Sequence, residues 1–339
     1  MIQHIKRLLG IGKPDPMRGN SLIINVEKLE RRVALLEDGI LEEYSVEREG
    51  DQNIVGGIFK GRVKNIEPGL KAMFVDIGLD KNAFLHFWDA IPAALDTGLE
   101  EIQREGKKKT VKKITSKDIP DIYPVGSEIV IQVSKGPIGT KGPRVTTNIS
   151  LAGRYLVLMP FTEQCGISRK IEDPKERARL RKIVQKLSVP EGMGVIMRTV
   201  AQGTRARHFV RDLAMLLEQW DEIEARREAN PAPACIFQEP GLIERAARDF
   251  LTDEVNQVIC DDAQTTEAIR EIAGKISRRA KRRIHHLPTS TQPIFERINI
   301  QKQIDEAFSR QVWLPCGGYV VIDETDALIS VDVNTGRNR

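Results

Sequence analysis

The chain has 339 residues and a mass of 38.1 kDa, with 52 Lys and Arg against 48 Asp and Glu, a formal net charge of +4. Hydrophobic residues at 40% and charged residues at 29% fit a globular chain of two or three domains and exclude disorder over most of its length. No apolar run reaches the ~18 residues of a membrane helix, which argues against an integral membrane segment. Met1 to Gly12 carries basic residues but no sustained apolar core or small-residue cleavage site, so no signal peptide is expected. Cys165, Cys235, Cys260 and Cys316 are far apart and form no C-x-x-C pair. Neither a disulfide framework nor a zinc ribbon is indicated, and a cytoplasmic location is expected.

The small net charge hides local asymmetry. Lys107, Lys108, Lys109, Lys112, Lys113 and Lys117 form one basic cluster. Arg278, Arg279, Lys281, Arg282 and Arg283 form a second, followed by His285 and His286; Arg205, Arg207 and His208 make a third. Each suits a polyanion, because neutralised phosphates release condensed counterions. A solvated loop or helix face is the competing reading for any single cluster.

Along the chain, residues 1–18 read as a flexible lead. Ser21–Asn25 and Arg32–Leu36 read as strands. A β-rich block over 56–149 contains strand patterns at Ile58–Ile66, Ala72–Ile77, Ala83–Phe87 and Glu128–Val133, with a Pro68-Gly69 turn. Short strands at this spacing predict a small closed barrel. The basic stretch Gly98–Ile119 reads as a loop inserted in it. Past Ser150, Leu156–Met159 and Gly194–Val200 read as strands, and Asp173-Pro174 as the start of a helix over Lys175–Leu187. Phe209, Leu213, Leu216, Leu217, Trp220 and Ile223 mark one face of a longer helix, ended by a hinge-like NPAP at 230–233. Helices near 241–252, 264–281 and 293–311, a strand at Val255–Cys260, and a closing hairpin of Tyr319–Asp323 and Ala327–Val333 complete an α+β multidomain chain.

Three places carry candidate chemistry. On the strand Lys71–Ile77, Met73, Val75 and Ile77 point to a core, which leaves Phe74 outward beside Asp76. Phe84 is outward in the same way on Asn82–Phe87. Two outward phenylalanines on a basic barrel offer a stacking platform for unpaired bases, unless a neighbouring domain covers them. Arg198-Thr199 follows an apolar strand, and a guanidinium fork with a hydroxyl can grip a terminal phosphate. Asp332 and Asn334 share one strand face, with Val331 and Val333 facing a core, and can hold Mg²⁺ and bond a phosphate oxygen. D-x-N pairs are also common in surface turns.

The sequence resembles the catalytic half of the ribonuclease E/G family of bacterial endoribonucleases. The stretches that carry the resemblance are Gly57–Gly69 (GIFKGRVKNIEPG), Ala72–Gly78 (AMFVDIG), Ser150–Pro160 (SLAGRYLVLMP), Gly166–Lys170 (GISRK), Pro190–Thr199 (PEGMGVIMRT) and Leu314–Asn338 (LPCGGYVVIDETDALISVDVNTGRN). The resemblance implies an S1-type OB-fold barrel over 56–149, with 98–119 as a Lys-rich insertion. It implies an α/β 5′-sensor over 150–243, an RNase H-like α/β subdomain from 19–55 with 244–307, and the start of a DNase I-like catalytic domain at 308–339. It implies that Phe74, Phe84 and Lys141 hold single-stranded RNA and that Gly153, Val157, Arg169, Arg198 and Thr199 form a pocket for a 5′-monophosphate. Asp332 and Asn334 correspond to the metal-binding aspartate and its partner.

The implied activity is Mg²⁺-dependent endonucleolytic cleavage of single-stranded, AU-rich RNA in rRNA and mRNA processing and decay, by a homo-oligomer. The family's second metal-binding Asp and its zinc-sharing C-x-x-C are expected downstream of Arg339, so the DNase I-like domain is expected to be incomplete here. A catalytically silent RNA-binding protein or fragment is therefore the alternative expectation.

Overall fold

The computed structural model describes residues 18–49, 54–91, 99–102, 115, 118–251, 255–276, 278–288, 292–314, 316–324 and 328–336. The chain divides into two compact units, residues 1–51 with 241–339 and residues 52–240.

In the first unit, β1 (Asn20–Val26), β2 (Glu30–Glu37) and β3 (Ile40–Arg48) form an antiparallel meander. The sequence reading gives no strand at β3, although its signal is present. Asp38 and Gly39 both take positive φ, 48° and 84°, the Asp-Gly conformation of a tight two-residue hairpin.

In the second unit, β4 (Ile58–Glu67), β5 (Ala72–Asp76), β6 (Ala83–His86), β8 (Glu128–Lys135) and β9 (Arg144–Thr146) pair in the order β4-β5-β6-β9-β8, and a β4–β8 pairing closes the ring. The expected small closed barrel is therefore present, and it has five strands. Its interior is Val63, Met73, Val75, Ala83, Leu85, Ile129, Ile131 and Val145, together with Ile119 from a one-turn helix, α1 (Ile119–Ile122). The segment expected to be a loop begins instead with β7 (Leu99–Ile102), which leaves the barrel and pairs antiparallel with β12 (Cys165–Ser168). The pairing covers what would otherwise be an open edge of β12. Lys107, Lys108, Lys109, Lys112, Lys113 and Lys117 lie outside the described residues.

β10 (Leu151–Ala152), β11 (Leu156–Met159) and β13 (Gly194–Met197) complete a mixed sheet of order β10-β11-β13-β12-β7. The predicted helix start holds: Asp173 Oδ1 accepts the Lys175 N–H at 2.9 Å, and α2 runs Pro174–Lys186. The long helix α3 (Ala206–Ala229) buries Phe209, Leu213, Leu216, Trp220 and Ile223 in the same core as this sheet. Its end is not a free hinge. Lys60 Nζ donates to the carbonyls of Arg227 and Asn230 at 3.2 and 3.1 Å, and β14 (Ala234–Phe237) then pairs with β4.

Back in the first unit, α4 (Leu242–Phe250) leads to β15 (Val255–Cys260), which runs parallel to β1. α5 (Ala263–Ile276), α6 (Arg278–Arg282) and β16 (Ile284–His286) follow, giving the sheet β16-β15-β1-β2-β3. β1 is sandwiched between two apolar clusters, so Leu22, Ile23 and Ile24 are all buried, as the near-continuous apolar run of a central strand requires. The single helix expected over 293–311 is two, α7 (Ile294–Arg297) and α8 (Ile300–Ala307), because Asn299 turns left-handed at φ 60°. The chain closes with the antiparallel sheet β17 (Gln311–Trp313), β18 (Tyr319–Glu324) and β19 (Ile329–Asn334). Val331 and Val333 were expected to face a core; they are 59% and 69% exposed, since no described residue packs over that face. No helix among the described residues is long and apolar enough to cross a membrane.

Candidate nucleic-acid interface

The barrel presents its two outward phenylalanines as a pair. Phe74 and Phe84 are directly opposite across β5 and β6, and their rings meet edge to face at 5.9 Å and 70°. Both are half-buried, while Met73, Val75, Ala83 and Leu85 on the other face are buried. The neighbouring Asp76 is satisfied locally. It accepts the Gly78 N–H at 2.9 Å and pairs with Lys64 at 3.2 Å, and that backbone hydrogen bond, with help from Lys64, holds its carboxyl below the usual range. Lys141 is exposed on the loop before β9. The mutual backbone bonds of Ile138 and Lys141 close its turn at 3.2 and 3.0 Å, and Pro143 accepts the Phe84 N–H at 2.8 Å, bringing this loop alongside the ring pair.

The five residues expected at the 5′-sensor gather at one end of the mixed sheet. β11 and β13 are antiparallel with Val157 opposite Ile196, while β12 and β13 are parallel with Ile167 opposite Met197. The entry to β11 and the exits of β12 and β13 therefore coincide, which places Gly153, Arg169, Arg198 and Thr199 together with Val157 one step inside. Arg198 is anchored twice: its N–H donates to the Tyr155 carbonyl at 2.9 Å and its Nη1 to the Gly153 carbonyl at 2.7 Å. Thr199 is exposed at the start of a 3-10 turn, Thr199–Ala201. Arg169 is exposed on a turn pinned by Arg177, whose Nη1 donates to the carbonyls of Ser168 and Ile171 at 3.0 and 2.8 Å.

Two supports of this edge escaped the sequence reading. Asp212 accepts the N–H groups of Arg154, Tyr155 and Leu156 at 3.1, 2.8 and 2.9 Å, holding the turn that carries Gly153. Its signal is a carboxylate at helical spacing within the apolar stripe of Phe209 and Leu216. Gly153 itself has no room for a side chain, since a Cβ there would sit 2.7 Å from Asp212 Oδ2 and 2.9 Å from Leu216 Cδ1. Glu176 is the other support. It takes Arg179 Nε and Nη2 at 2.8 and 2.6 Å and the Gly203 N–H at 2.8 Å, tying α2 to the turn after Thr199.

On the closing hairpin, Asp332 and Asn334 share a face as expected. Asn334 Nδ2 donates to Asp332 Oδ2 at 2.9 Å, which orients the carboxylate. Asp323 is engaged elsewhere, in a two-pronged pair with Arg310 that holds its carboxyl below the usual range. Among the described residues no group of three or more His, Cys, Asp or Glu side chains could hold a metal ion. Mg²⁺ that cleaves a phosphodiester generally needs two carboxylates around it. The described hairpin residues fit one side of such a site and do not complete it.

The sequence model described as "Ribonuclease E/G family" matches residues 150–339. The chain is 39% identical to ribonuclease G of Escherichia coli (strain K12) over 315 residues, 93% of this chain and 62% of that protein. It is 36% identical to ribonuclease G of Haemophilus influenzae over 315 residues, with the same coverage. Ribonuclease E of Escherichia coli (strain K12) is 37% identical over 317 residues, 93% of this chain and 29% of that protein. The chain thus spans about three fifths of the length of these ribonuclease G relatives and under a third of that ribonuclease E.

Proposed function

Because the chain belongs to the ribonuclease E/G family, we propose that it is the RNA-gripping part of an endoribonuclease that cleaves single-stranded, AU-rich RNA in rRNA and mRNA processing and prefers 5′-monophosphorylated ends. The observation that carries the reading is the Phe74–Phe84 ring pair on the outer face of a closed barrel, in a unit that also gathers Arg169, Arg198 and Thr199 at one sheet end. In this reading the barrel is an S1-type OB fold and residues 150–243 are the 5′-sensor.

Each residue then has a task. Phe74 and Phe84 stack unpaired bases, a contact typically worth ~1–3 kcal/mol per base, and Lys141 neutralises a phosphate of the same strand. Arg198, fixed by its bond to the Gly153 carbonyl, reads the terminal phosphate with Thr199 and Arg169, while Val157 gives the first nucleotide an apolar wall. Asp332, oriented by Asn334, supplies one carboxylate for Mg²⁺. When bound, that ion would activate water for attack on the phosphodiester. It needs a further carboxylate, and the Asp323 of the same hairpin is held by Arg310.

The test is Mg²⁺-dependent cleavage of a short 5′-monophosphorylated AU-rich RNA by this chain, beside its triphosphate twin and an EDTA control. Cleavage lost with EDTA supports the catalytic reading. Tight binding without cleavage favours the second reading, a chain that binds RNA without cutting it, for which the pairing of Asp323 with Arg310 speaks, since it withholds that carboxylate from Asp332. Absence of binding would overturn both.

A further inference from the structure

The basic cluster at the start of α3 takes no part in the function proposed above. Arg205 is exposed just before the helix, Arg207 and Arg211 are exposed on its first turns, and His208 between them is half-buried. The His208 ring lies 6.0 Å from the ring of Tyr155 at 55°. On the same phenol, the Arg154 guanidinium carbon sits 5.4 Å from the ring centre. Arg154 and Tyr155 thus back the His208 imidazole: the Arg154 Nε and Nη1 are buried, and Tyr155 also packs edge to face on Phe209 at 5.8 Å. Burial first, then the charges of Arg207, Arg154, Arg205 and Arg211, push His208 below its usual pKa, which keeps the ring uncharged at neutral pH.

The acids nearby offset this charge only in part. Asp212, one turn after His208, is committed to the N–H groups of Arg154, Tyr155 and Leu156. Among the described residues, no carboxylate pairs with Arg205, Arg207 or Arg211. The cluster is also continuous with the phosphate-reading edge, since Arg198 bonds the carbonyls of Gly153 and Tyr155, the residues on either side of Arg154. Flat surfaces for bases beside cations for phosphates are the recurring composition of a single-strand binding groove.

We propose that the His208 ring, backed by Tyr155 and Arg154 and ringed by Arg205, Arg207 and Arg211, is a second contact surface for single-stranded RNA and takes the nucleotides that follow the 5′ end. Its position along the RNA rests on the reading that Arg198 and Thr199 hold the 5′ phosphate. The His208 ring favours RNA over an anion lacking bases, because it adds affinity only where there is a base to cover.

The test is anisotropy of a 3′-labelled RNA decamer, with 5′-monophosphate or 5′-hydroxyl, titrated with the full chain over a salt series. R205A/R207A/R211A should weaken binding at least tenfold and flatten the slope of log affinity against log salt by about 2, from ~0.7 per phosphate on a single strand. R205K/R207K/R211K should keep the slope. The preference for 5′-monophosphate should persist in both triple variants. His208→Ala should cost about fivefold or more and His208→Phe should recover it, as stacking requires. A folded alanine variant with wild-type affinity and slope would overturn the proposal. A wild-type chain indifferent to the 5′ phosphate would instead overturn the 5′-end reading and the placement beside it, while the slope of the alanine variant would still decide whether the surface contacts RNA.

Discussion

Arg198 Nη1 donates to the Gly153 carbonyl at 2.7 Å, so a cation at the exit of β13 is locked to the turn that enters β11. The lock depends on residues far apart in sequence, and each is a place to test it.

Arg198→Ala removes both the cation and the bond to Gly153. The expected outcome is that RNAs with 5′-monophosphate and 5′-triphosphate become equivalent substrates or ligands, while binding of an RNA with a 5′-hydroxyl is unchanged. Competition between differently labelled RNAs of one sequence measures this directly. A preference that survives the change contradicts the sensor assignment.

Gly153→Ala places a methyl group 2.7 Å from Asp212 Oδ2 and 2.9 Å from Leu216 Cδ1. Asp212 cannot retreat without releasing three backbone N–H groups. A loss of ~1–3 kcal/mol is expected from such overpacking, seen as a lower Tm, together with a weaker 5′-monophosphate preference. An unchanged Tm would show that the turn yields freely.

Glu176 links α2 to the turn beyond Thr199. The hydrogen bonds from Arg179 first, with the Gly203 N–H assisting, hold its carboxyl below its ordinary value of 4.5. A lowered acid stabilises the fold when ionised, so this contribution is fully present above about pH 4.5 and is lost as pH falls through the folded value. Glu176→Gln should cost about 1 kcal/mol at neutral pH, the usual worth of a partly exposed charged bond. It should also flatten the acid limb of stability against pH, as urea melts at several pH values would show.

The barrel was legible in the sequence because alternation states which face is buried, and Met73, Val75, Ala83 and Leu85 obey it, while β1 was legible from its unbroken apolar run. The same alternation exposed Phe74 and Phe84 as outward rings. What the sequence hid depended on partners distant in the chain. β7 and β9 are three- or four-residue strands that exist through pairing with β12 and β8, and so short a run has no pattern of its own. Asn299 breaks an expected helix through a left-handed backbone, φ 60°, which no apolar spacing encodes. At the candidate site, Arg198 and Thr199 came from a local motif, whereas Asp212 became visible only once α3 was packed beneath the Gly153 turn.

Asp332→Asn keeps the hydrogen-bonding shape of the hairpin and removes its carboxylate. In a protein with a complete metal site, Mg²⁺-dependent cleavage should disappear while RNA affinity holds. A large fall in affinity instead would mean that Asp332 serves the fold or RNA binding rather than a metal.

The central claim is that the Phe74–Phe84 pair grips unpaired bases, and the most direct measurement is the affinity of the chain for a single-stranded RNA against a duplex of the same composition. Wild type should favour the single strand, and Phe74→Ala/Phe84→Ala should weaken that binding at least about tenfold, given ~1–3 kcal/mol per stacked base, with little change for the duplex. Single-strand affinity unaltered by the double substitution, in a chain that still folds, would contradict the account.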